Sequence, residues 1–334
     1  MTGSLKQAVA WGLRRSGLFR LHASRLARGR AVLLVYHRVN DHGDPFFPAL
    51  PRRDFAAHLD HVASHYRVES LEAVASWLAA GAAGPPRAAL TIDDGHPDTL
   101  EVALPELDRR GLPATLFLST GPPETGEPLW IDRTRWIVKH ARARVLEAAP
   151  ATGLPGGSLE GTAARLELLA RLLRHLKTLG PLDVERAVAA LARTLGPEGP
   201  PLPVLDWDGV RRMAAGPIRL GGHTHRHYML SRLDDPTIEE EIATAHRLIE
   251  ERTGQRVRTF AYPTGEAADY DGRAIAVLRR LGLVCAVTCR DGLARPGQDA
   301  FQLPRLYTSV PSLSLFAARL AGLGQGEAPP VEVS

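Results

Sequence analysis

Three apolar runs separated by helical segments constrain the fold of this 334-residue chain more than any other feature of its sequence. The runs are AVLLVYHRV (31–39), RAALTIDDG (87–95) and PATLFLST (113–120), and each ends in polar residues. The spacing of apolar residues between them predicts helices over 55–68, 70–81 and 98–110. Strands that alternate with helices in this way are typical of βαβ units in a parallel sheet.

The segment between residues 121 and 205 interrupts this alternation. A long helix rich in Ala, Leu and Arg is predicted over 161–180, between two Pro- and Gly-rich stretches, PATGLPGG and GPEGPPLP. Further on, the pattern predicts a helix that ends at Gly254 and strands at 218–225, 257–263, 283–289 and 302–308. We therefore expect one domain over residues 31–318 that carries a helical insertion at about 125–203.

The first thirty residues contain one Lys, six Arg and no acidic residue. We expect two short amphipathic helices over residues 1–30 that either pack on the domain or contact an anionic membrane surface. The segment lacks the apolar core of a signal peptide, and the sequence has no apolar stretch long enough to span a bilayer. These features predict a cytoplasmic protein, with a disordered tail at 319–334.

Composition argues against several other classes of protein. A content of 44% hydrophobic and 23% charged residues is ordinary for a globular chain. The net charge of +4 is mild, and basic residues are mostly interleaved with acidic ones, so we expect no nucleic-acid partner. Cys285 and Cys289 lie in an alternating strand pattern and are predicted to be core residues, which leaves no disulfide framework.

Two clusters of polar residues follow predicted strands. Asp93 and Asp94 end one apolar run, and His223, His225 and His227 fall within five residues after another. Histidines four residues apart can converge on a helix or on an extended segment that turns. Two imidazoles and one carboxylate form a known catalytic zinc set with an open position for water. An Asp pair alone is equally typical of a turn, but the combination predicts a metal site.

These motifs resemble those of the polysaccharide deacetylases of the NodB-homology, carbohydrate esterase 4 type. TIDDG resembles the TFDDG motif, HTHRH matches H-[ST]-x-x-H, and FAYPTG (260–265) is similar to the third motif in its FAYPxG form. LLVYHRV and LPRLYT resemble the branch associated with exopolysaccharides. The resemblance covers roughly residues 31–318 and implies a distorted, incomplete (β/α) barrel with an open groove at its strand ends.

The resemblance also implies a role for each matching residue. Asp93 would be the catalytic base, and Asp94, His223 and His227 would be the ligands of a divalent metal. Zinc is the expected metal, and cobalt or nickel would fit the same ligands. By alignment with the third motif, the backbone N–H of Thr264 would stabilise the oxyanion that forms during hydrolysis.

The sequence departs from the family pattern at two positions. The last histidine is His246, so the C-terminal histidine that usually supplies the general acid is absent. The exopolysaccharide-associated branch resembles a circularly permuted arrangement, and there His37 of YHRV would serve as the acid. Ala261 stands where an arginine usually orients the catalytic aspartate. Arg305 in LPRLYT could supply that charge from an adjacent strand, or it could form a structural salt bridge.

The sequence also gives an expectation for five further residues near the site. Trp130 and Asp132 in LWIDR could contact a sugar, or they could anchor the insertion. Tyr262 of the third motif is a candidate for the substrate or oxyanion site. His96 stands where an aromatic residue usually follows TFDDG and is expected to line the cleft. His225 lies between the two ligands and is expected to face away from the metal.

The expected function is metal-dependent N-deacetylation of N-acetylated sugars in a polysaccharide, glycan or glycolipid precursor. One alternative is hydrolysis of another acylated amine or non-peptide C–N bond at the same site. A second alternative is a catalytically silent glycan-binding protein. A carbohydrate is the expected partner both of the deacetylase and of the glycan-binding protein. The sequence does not specify the sugar, its linkage or the oligomeric state.

Overall fold

The computed structural model describes residues 29–149, 153–310 and 312–322. The predicted N-terminal helices and the predicted C-terminal tail lie almost wholly outside these ranges. Within them, a parallel sheet is formed by β1 (Ala31–Tyr36), β2 (Arg67–Val68), β3 (Arg87–Asp94), β4 (Ala114–Leu118), β7 (Ile218–Gly222), β8 (Thr259–Ala261), β9 (Cys285–Asp291) and β10 (Leu303–Tyr307). A separate antiparallel pair consists of β5 (Val145–Leu146) and β6 (Gly157–Ser158).

Seven of the parallel strands form a closed ring. Their order is β1-β10-β9-β8-β7-β4-β3, and β3 pairs with β1 to close it. The two-residue strand β2 extends the sheet beside the start of β3. This arrangement confirms the predicted distorted (β/α) barrel. The ring is closed, and it is incomplete only in having one strand fewer than an eight-stranded barrel.

Helices connect the strands. They are α1 (Arg52–His65), α2 (Leu71–Ala79), α3 (Leu104–Asp108), α4 (Gly121–Thr125), α5 (Trp130–Lys139), α6 (Gly161–Leu176), α7 (Pro181–Leu195), α8 (Trp207–Ala214), α9 (Asp235–Thr253), α10 (Gly272–Arg280) and α11 (Leu313–Leu320). Ser70 caps α2 as predicted, because its side chain accepts a hydrogen bond from the backbone N–H of Ala73. Gly254 ends α9 in the left-handed conformation, also as predicted.

Some helices differ from the sequence-based expectation. The single helix predicted over 161–180 ends at Leu176, and a second helix, α7, begins at Pro181. Proline is favoured at the first position of a helix because its missing N–H has no partner there in any case. A π-helical turn, Thr99–Ala103, precedes α3 where one regular helix was predicted. Helix α11 extends to Leu320, two residues into the segment predicted to be disordered.

The insertion between β4 and β7 packs against the ring through its own helices. Apolar residues of α5, α6 and α7 share one buried cluster with residues of β8 and α10, among them Val138, Leu172, Leu191, Phe260 and Ile275. This cluster fixes α5 beside the ring. The position of α5 matters because several of its polar residues reach the strand ends.

Alternate strand residues belong to different apolar clusters. Leu33, Ala89 and Val287 pack with residues of α2, whereas Leu34 and Leu90 pack with residues of α1. Side chains alternate between the two faces of a strand, so the first set, which is the smaller cluster, lines the interior of the closed ring. Asp93 lies four residues after Ala89 on the same strand and therefore points to the same interior.

Candidate active site

Polar residues from four strands meet at one rim of the ring. Asp93 and Asp94 end β3, His37 directly follows β1, His223 directly follows β7, and Arg305 lies near the end of β10. The carboxyl ends of parallel strands in a closed barrel lie on one face, which is where active sites of such barrels occur. Residues from distant parts of the chain are thereby brought to one place.

Asp94, His223 and His227 form a compact group of potential metal ligands. Oδ1 of Asp94 lies 3.4 Å from Nε2 of His223 and 3.3 Å from Nε2 of His227. One ligand atom of each residue lies within 4.8 Å of those of the other two. Oδ1 of Asp94 is buried and has no hydrogen-bond partner among the described residues. Two imidazoles and a carboxylate whose buried oxygen has no hydrogen-bond partner fit a divalent metal.

The surrounding hydrogen bonds orient these ligands. Nδ1 of His223 donates to the carbonyl of Ala261 at 2.7 Å, which leaves the lone pair of Nε2 facing Asp94. Nε2 of His96 lies 3.2 Å from the other oxygen of Asp94. Burial raises the pKa of Asp94, but the neighbouring imidazoles of His223, His227 and His96 outweigh it and hold the pKa well below its usual range. The carboxyl is therefore an anion, as a metal ligand must be.

Strained backbone conformations concentrate at this site. Five non-glycine residues among the described ones have a positive φ, and four of them lie here: Asp94 (74°), Thr224 (62°), His227 (62°) and Thr264 (56°). The fifth is Ala82. Such conformations each cost on the order of 1–3 kcal/mol and persist only where the surrounding structure enforces them. The strain therefore marks loops held in place for a purpose other than stability.

A buried carboxylate fixes the loop that carries the histidines. Oε2 of Glu241, on α9, accepts hydrogen bonds from the backbone N–H groups of His225 (3.0 Å) and Arg226 (2.8 Å). Its other oxygen accepts from Nε of Arg226 at 2.6 Å. The ring of His225 contacts Oγ1 of Thr120 at 2.9 Å and is not part of the ligand group. The structure thus directs His225 away from Asp94, as expected.

Arg305 and Asp93 form a buried ion pair. The two terminal nitrogens of Arg305 each donate to one oxygen of Asp93 at 2.7 Å, and the arginine is 0% exposed. Arg305 also donates to Oγ1 of Thr91, to the carbonyl of Thr288 and to Sγ of Cys289. Strand β1 lies between β10 and β3, so the arginine reaches Asp93 through the interior of the ring and not from an adjacent strand.

The ion pair also sets the ionisation of Asp93. Burial raises the pKa of this carboxyl, but the charge and the hydrogen bonds of Arg305 outweigh burial and lower the pKa below its usual value. Asp93 is thus held as a carboxylate with a fixed orientation. Both cysteines are buried and free, which confirms their assignment to the core.

His37 lies at the open side of Asp93. Its Nε2 is 4.0 Å from Oδ2 of Asp93, and 43% of its side chain is accessible. Partial burial is the largest influence on the pKa of His37 and lowers it. The charges of Asp94 and Asp93 raise this pKa, whereas those of Arg305 and His96 lower it further. An accessible imidazole beside the carboxylate can exchange protons with a group bound in the cleft.

A continuous cleft crosses the rim. Its first cavity, of about 250 Å³, contains His37, Asp94 and Tyr307 among its lining residues. A second cavity, of about 30 Å³, shares four lining residues with the first: Arg38, Asp94, His96 and Asp132. A third, of about 220 Å³, shares Pro122, Pro128 and Leu129 with the second. The three cavities therefore adjoin one another along the strand ends and pass beside Asp94.

His96, Asp132 and Arg38 form a chain of contacts along the cleft. Nδ1 of His96 lies 3.6 Å from Oδ2 of Asp132, and Arg38 donates to the same oxygen at 3.0 Å. His96 contacts Asp94 through its other nitrogen. Asp132 is buried, and it connects α5 of the insertion to the strand ends through these contacts. It lines the cleft, so both alternatives for Asp132, sugar contact and anchoring, agree with its position.

Two residues predicted near the substrate are buried. Trp130 is 2% exposed, lines the third cavity and donates its indole N–H to the carbonyl of His227 at 3.0 Å, so both alternatives for Trp130, sugar contact and anchoring, agree with its position. Tyr262 is fully buried, its hydroxyl donates to the carbonyl of Phe301 at 2.9 Å, and its ring stacks on Tyr270. Neither the ring nor the hydroxyl of Tyr262 is available to a ligand, because both are used in packing.

Thr264 lies in the loop after β8. Its side chain donates to Oδ2 of Asp269, and the same oxygen accepts the backbone N–H of Glu266 at 3.0 Å. The backbone N–H of Thr264 makes no hydrogen bond within the described part of the chain. This N–H is free for another acceptor.

Several residues of the site were not among the candidates that the sequence suggested. Arg38, Arg135 and Tyr307 line the first cavity, and Glu241 holds the histidine loop. Arg38 and Tyr307 each stand at the end of a predicted strand, which was a usable signal. Arg135 and Glu241 lie within helices, where only the packing of the helix decides what a polar side chain reaches.

The sequence profile of the family described as "Polysaccharide deacetylase" matches residues 80–286, more than half of the chain. The chain therefore belongs to the polysaccharide deacetylase family of the NodB-homology, carbohydrate esterase 4 type. Members of this family are hydrolases that act on carbon–nitrogen bonds other than peptide bonds, and this chain is one of them. No curated protein matches the chain in sequence.

Solved structures share the fold. Deacetylase PplD of Streptococcus pyogenes, in complex with acetate, is 17% identical with a TM-score of 0.56, covering 83% of this chain and 92% of that chain. IcaB from Ammonifex degensii is 20% identical with a TM-score of 0.56, covering 88% and 97%. BC0361, a polysaccharide deacetylase from Bacillus cereus, is 15% identical with a TM-score of 0.54, covering 87% and 69%. At these identities the likeness establishes the fold.

None of the helices in the described ranges combines the length and the apolar character that crossing a membrane requires.

Proposed function

We propose that this protein is a metal-dependent N-deacetylase that removes the acetyl group from N-acetylated sugars of a polysaccharide or another extended glycan. The observation that carries the proposal is the placement of Asp93 beside the Asp94, His223 and His227 group. A base fixed by a buried arginine, adjacent to a potential metal site on an open cleft, is what hydrolysis of an unactivated amide requires.

Asp94, His223 and His227 would hold the metal ion. When bound, a divalent ion supplies a Lewis acid that polarises the acetamide carbonyl and makes water acidic enough to act as a nucleophile near neutral pH. Zinc is the ion we propose for this set of two imidazoles and one carboxylate, and cobalt or nickel would bind to the same donors.

Asp93 would be the general base. Its lowered pKa keeps it ionised at neutral pH, so it can accept a proton from the attacking water. Arg305 donates to both of its oxygens, which restricts the carboxylate to one orientation. We assign Arg305 the orienting role that the missing motif arginine has in the family.

His37 would be the general acid. It is accessible from the cleft and lies 4.0 Å from Asp93, so the same small volume contains both an acceptor and a donor of protons. We propose that it protonates the sugar nitrogen as the C–N bond breaks. The free backbone N–H of Thr264 would donate to the carbonyl oxygen of the acetyl group as negative charge develops there.

The shape of the cleft supports an extended substrate. Asp94 lines two of its three adjoining cavities, and the third adjoins one of these two along a length of the cleft. A single sugar would fill only part of this length, whereas consecutive sugars of a chain could occupy it. Asp132 is the residue of the insertion that we propose to contact the sugar.

The proposal is tested by measuring acetate release from a panel of N-acetylhexosamine oligomers and N-acetylated lipid-linked sugars by the zinc-loaded protein. We expect release by wild type and its loss in Asp93→Asn. Asp60→Asn, a surface change on α1, is the matched control and should retain full activity. Circular dichroism and metal content of both variants separate loss of chemistry from loss of folding.

No acetate from any sugar, with metal bound, would contradict the proposed substrate. Release of acid from acylated amines that are not sugars would then favour the alternative hydrolase. If neither class is hydrolysed while glycans bind, the protein is a silent glycan-binding member of the family.

A further inference from the structure

Arg135 differs from the other cations around the cleft in having no anionic partner. It lies on α5, one turn after Asp132, and lines the first cavity. One terminal nitrogen donates to the carbonyl of Phe46 at 2.7 Å. No carboxylate of the described residues forms an ion pair with its guanidinium, although the group is half-buried.

The neighbouring cations are each neutralised. Arg38 pairs with Asp132 at 3.0 Å, and Lys139, one turn further along α5, pairs with Asp44 at 2.6 Å. Burial lowers the pKa of Arg135, and the more distant charges of Asp132 and Asp94 raise it by less, so the charge of Arg135 costs free energy where it is. A charge placed at a cost on a cavity wall, with most of its donors unused, points to an anionic ligand.

The contact with Phe46 does not account for the charge. The carbonyl takes only one of the five N–H donors of a guanidinium, and a neutral amide side chain could make the same bond. The remaining donors form a planar fork that matches a carboxylate or a phosphate.

We infer that Arg135 binds an anionic group of the glycan, a carboxylate or a phosphate carried next to the N-acetylated sugar. This inference rests on the proposed function, since it specifies the substrate class of the same cleft. The substrate is then an acidic glycan, either one containing uronic acid or one containing sugar phosphate.

The first test measures binding without turnover. Titration calorimetry on the zinc-loaded full chain compares a tetrasaccharide of alternating glucose and glucuronate with a neutral tetrasaccharide of glucose, neither of which carries an acetamide. Glucose 1-phosphate provides the phosphate arm. We expect wild type to bind the uronate ligand, the phosphate ligand or both at least tenfold more tightly than the neutral one, about 1.4 kcal/mol.

The matched variants are Arg135→Gln and Lys139→Gln. The first removes the unpaired charge and keeps a donor for Phe46, and we expect it to abolish the preference for the anion. The second removes an equal charge from the same helix, at a residue that is paired and does not line the cavity, and should retain the preference. Equal binding of charged and neutral ligands by wild type, or the same loss in both variants, would overturn the inference.

The second test uses turnover. With oligosaccharides in which N-acetylglucosamine alternates with glucuronate, Arg135→Gln should raise KM at least tenfold and leave kcat within twofold. With neutral N-acetylglucosamine oligomers it should change neither value. An equal effect on both substrates would make Arg135 a support for the loop at Phe46 and refute an anion site. Absence of turnover on every substrate would refute the proposed function, while the calorimetric comparison would still decide the inference.

Discussion

Arg305 and Asp93 are joined by two hydrogen bonds of 2.7 Å although they lie on strands that are not neighbours in the ring. Both side chains are buried at the interior of the barrel, close to its carboxyl end. The positive charge of Arg305 compensates the negative charge of a buried carboxylate, whose burial alone would be very costly, and it keeps the carboxylate ionised. It therefore links the stability of the barrel to the proposed chemistry.

We predict that Arg305→Gln lowers the free energy of unfolding by about 3–5 kcal/mol, because it leaves a buried carboxylate unpaired. The variant should also lose activity, since the pKa of Asp93 rises once the guanidinium is gone. Urea denaturation of Arg305→Gln, Asp93→Asn and the double variant gives the coupling energy. Strict additivity of the two single changes would contradict a direct pair.

The same pair predicts how stability depends on pH. The folded-state pKa of Asp93 lies below the unfolded value of about 3.9, so its contribution to stability is present above that value and lost as pH falls through the folded pKa. Unfolding free energies measured from about pH 5 downward should therefore fall more steeply for wild type than for Asp93→Asn. Parallel curves would show that Asp93 is not held ionised.

Metal binding should require Asp94 and both ligand histidines. Zinc at about 100 times its dissociation constant should stabilise wild type by about 2.7 kcal/mol against unfolding. Asp94→Asn and His227→Ala should show no such stabilisation, because each removes one of only three donors. His246→Gln, on the outer helix α9 and paired with Glu250, is the control that should behave as wild type. Thermal denaturation with and without zinc measures the difference.

His96 should influence the metal through Asp94. We predict that His96→Phe lowers zinc affinity by about 10–100-fold, since it removes a hydrogen-bonding partner of a ligand without removing the ligand. A competition assay with a chromophoric chelator gives the affinity directly. Unchanged zinc affinity would show that His96 lines the cleft without influencing the metal.

His37 should titrate below its ordinary value of about 6.5 and should respond to Asp93. Asp93→Asn should lower the pKa of His37 further, because it removes a charge that raises it and leaves Arg305, which lowers it. NMR titration of the imidazole signals measures both values.

Turnover gives a separate test of the same residue. His37→Gln should reduce kcat by about 100–10,000-fold with zinc affinity unchanged, as loss of a general acid predicts. Full activity of this variant would leave the base and metal assignments intact and remove His37 from the mechanism.

Sequence patterns were sufficient for the barrel and for the residues at its strand ends. Apolar runs that alternate with helices specify parallel strands, and such strands place their carboxyl ends together whatever their order. For this reason the strand pattern alone predicts that Asp93, Asp94, His223 and His37 lie at one rim. The spacing within HTHRH made His223 and His227 candidates for one ion.

What the sequence left open depends on which strands and helices are neighbours in space. The choice for Arg305 between an orienting contact and a separate salt bridge turns on the order of β10, β1 and β3, which local sequence does not encode. The motif made Tyr262 a candidate for the substrate site, but its side chain is buried by packing. Arg135 and Glu241 acquire their positions only because an apolar cluster docks their helices.

The chain by itself thus determined which residue types stand at the ends of its strands, because periodicity and short motifs are local properties. The tertiary structure alone decided that Arg305 reaches Asp93 through the interior of the ring, and that Arg135 faces the cleft without an anion. These relationships arise from ring closure and helix docking, which bring together residues that no local pattern connects.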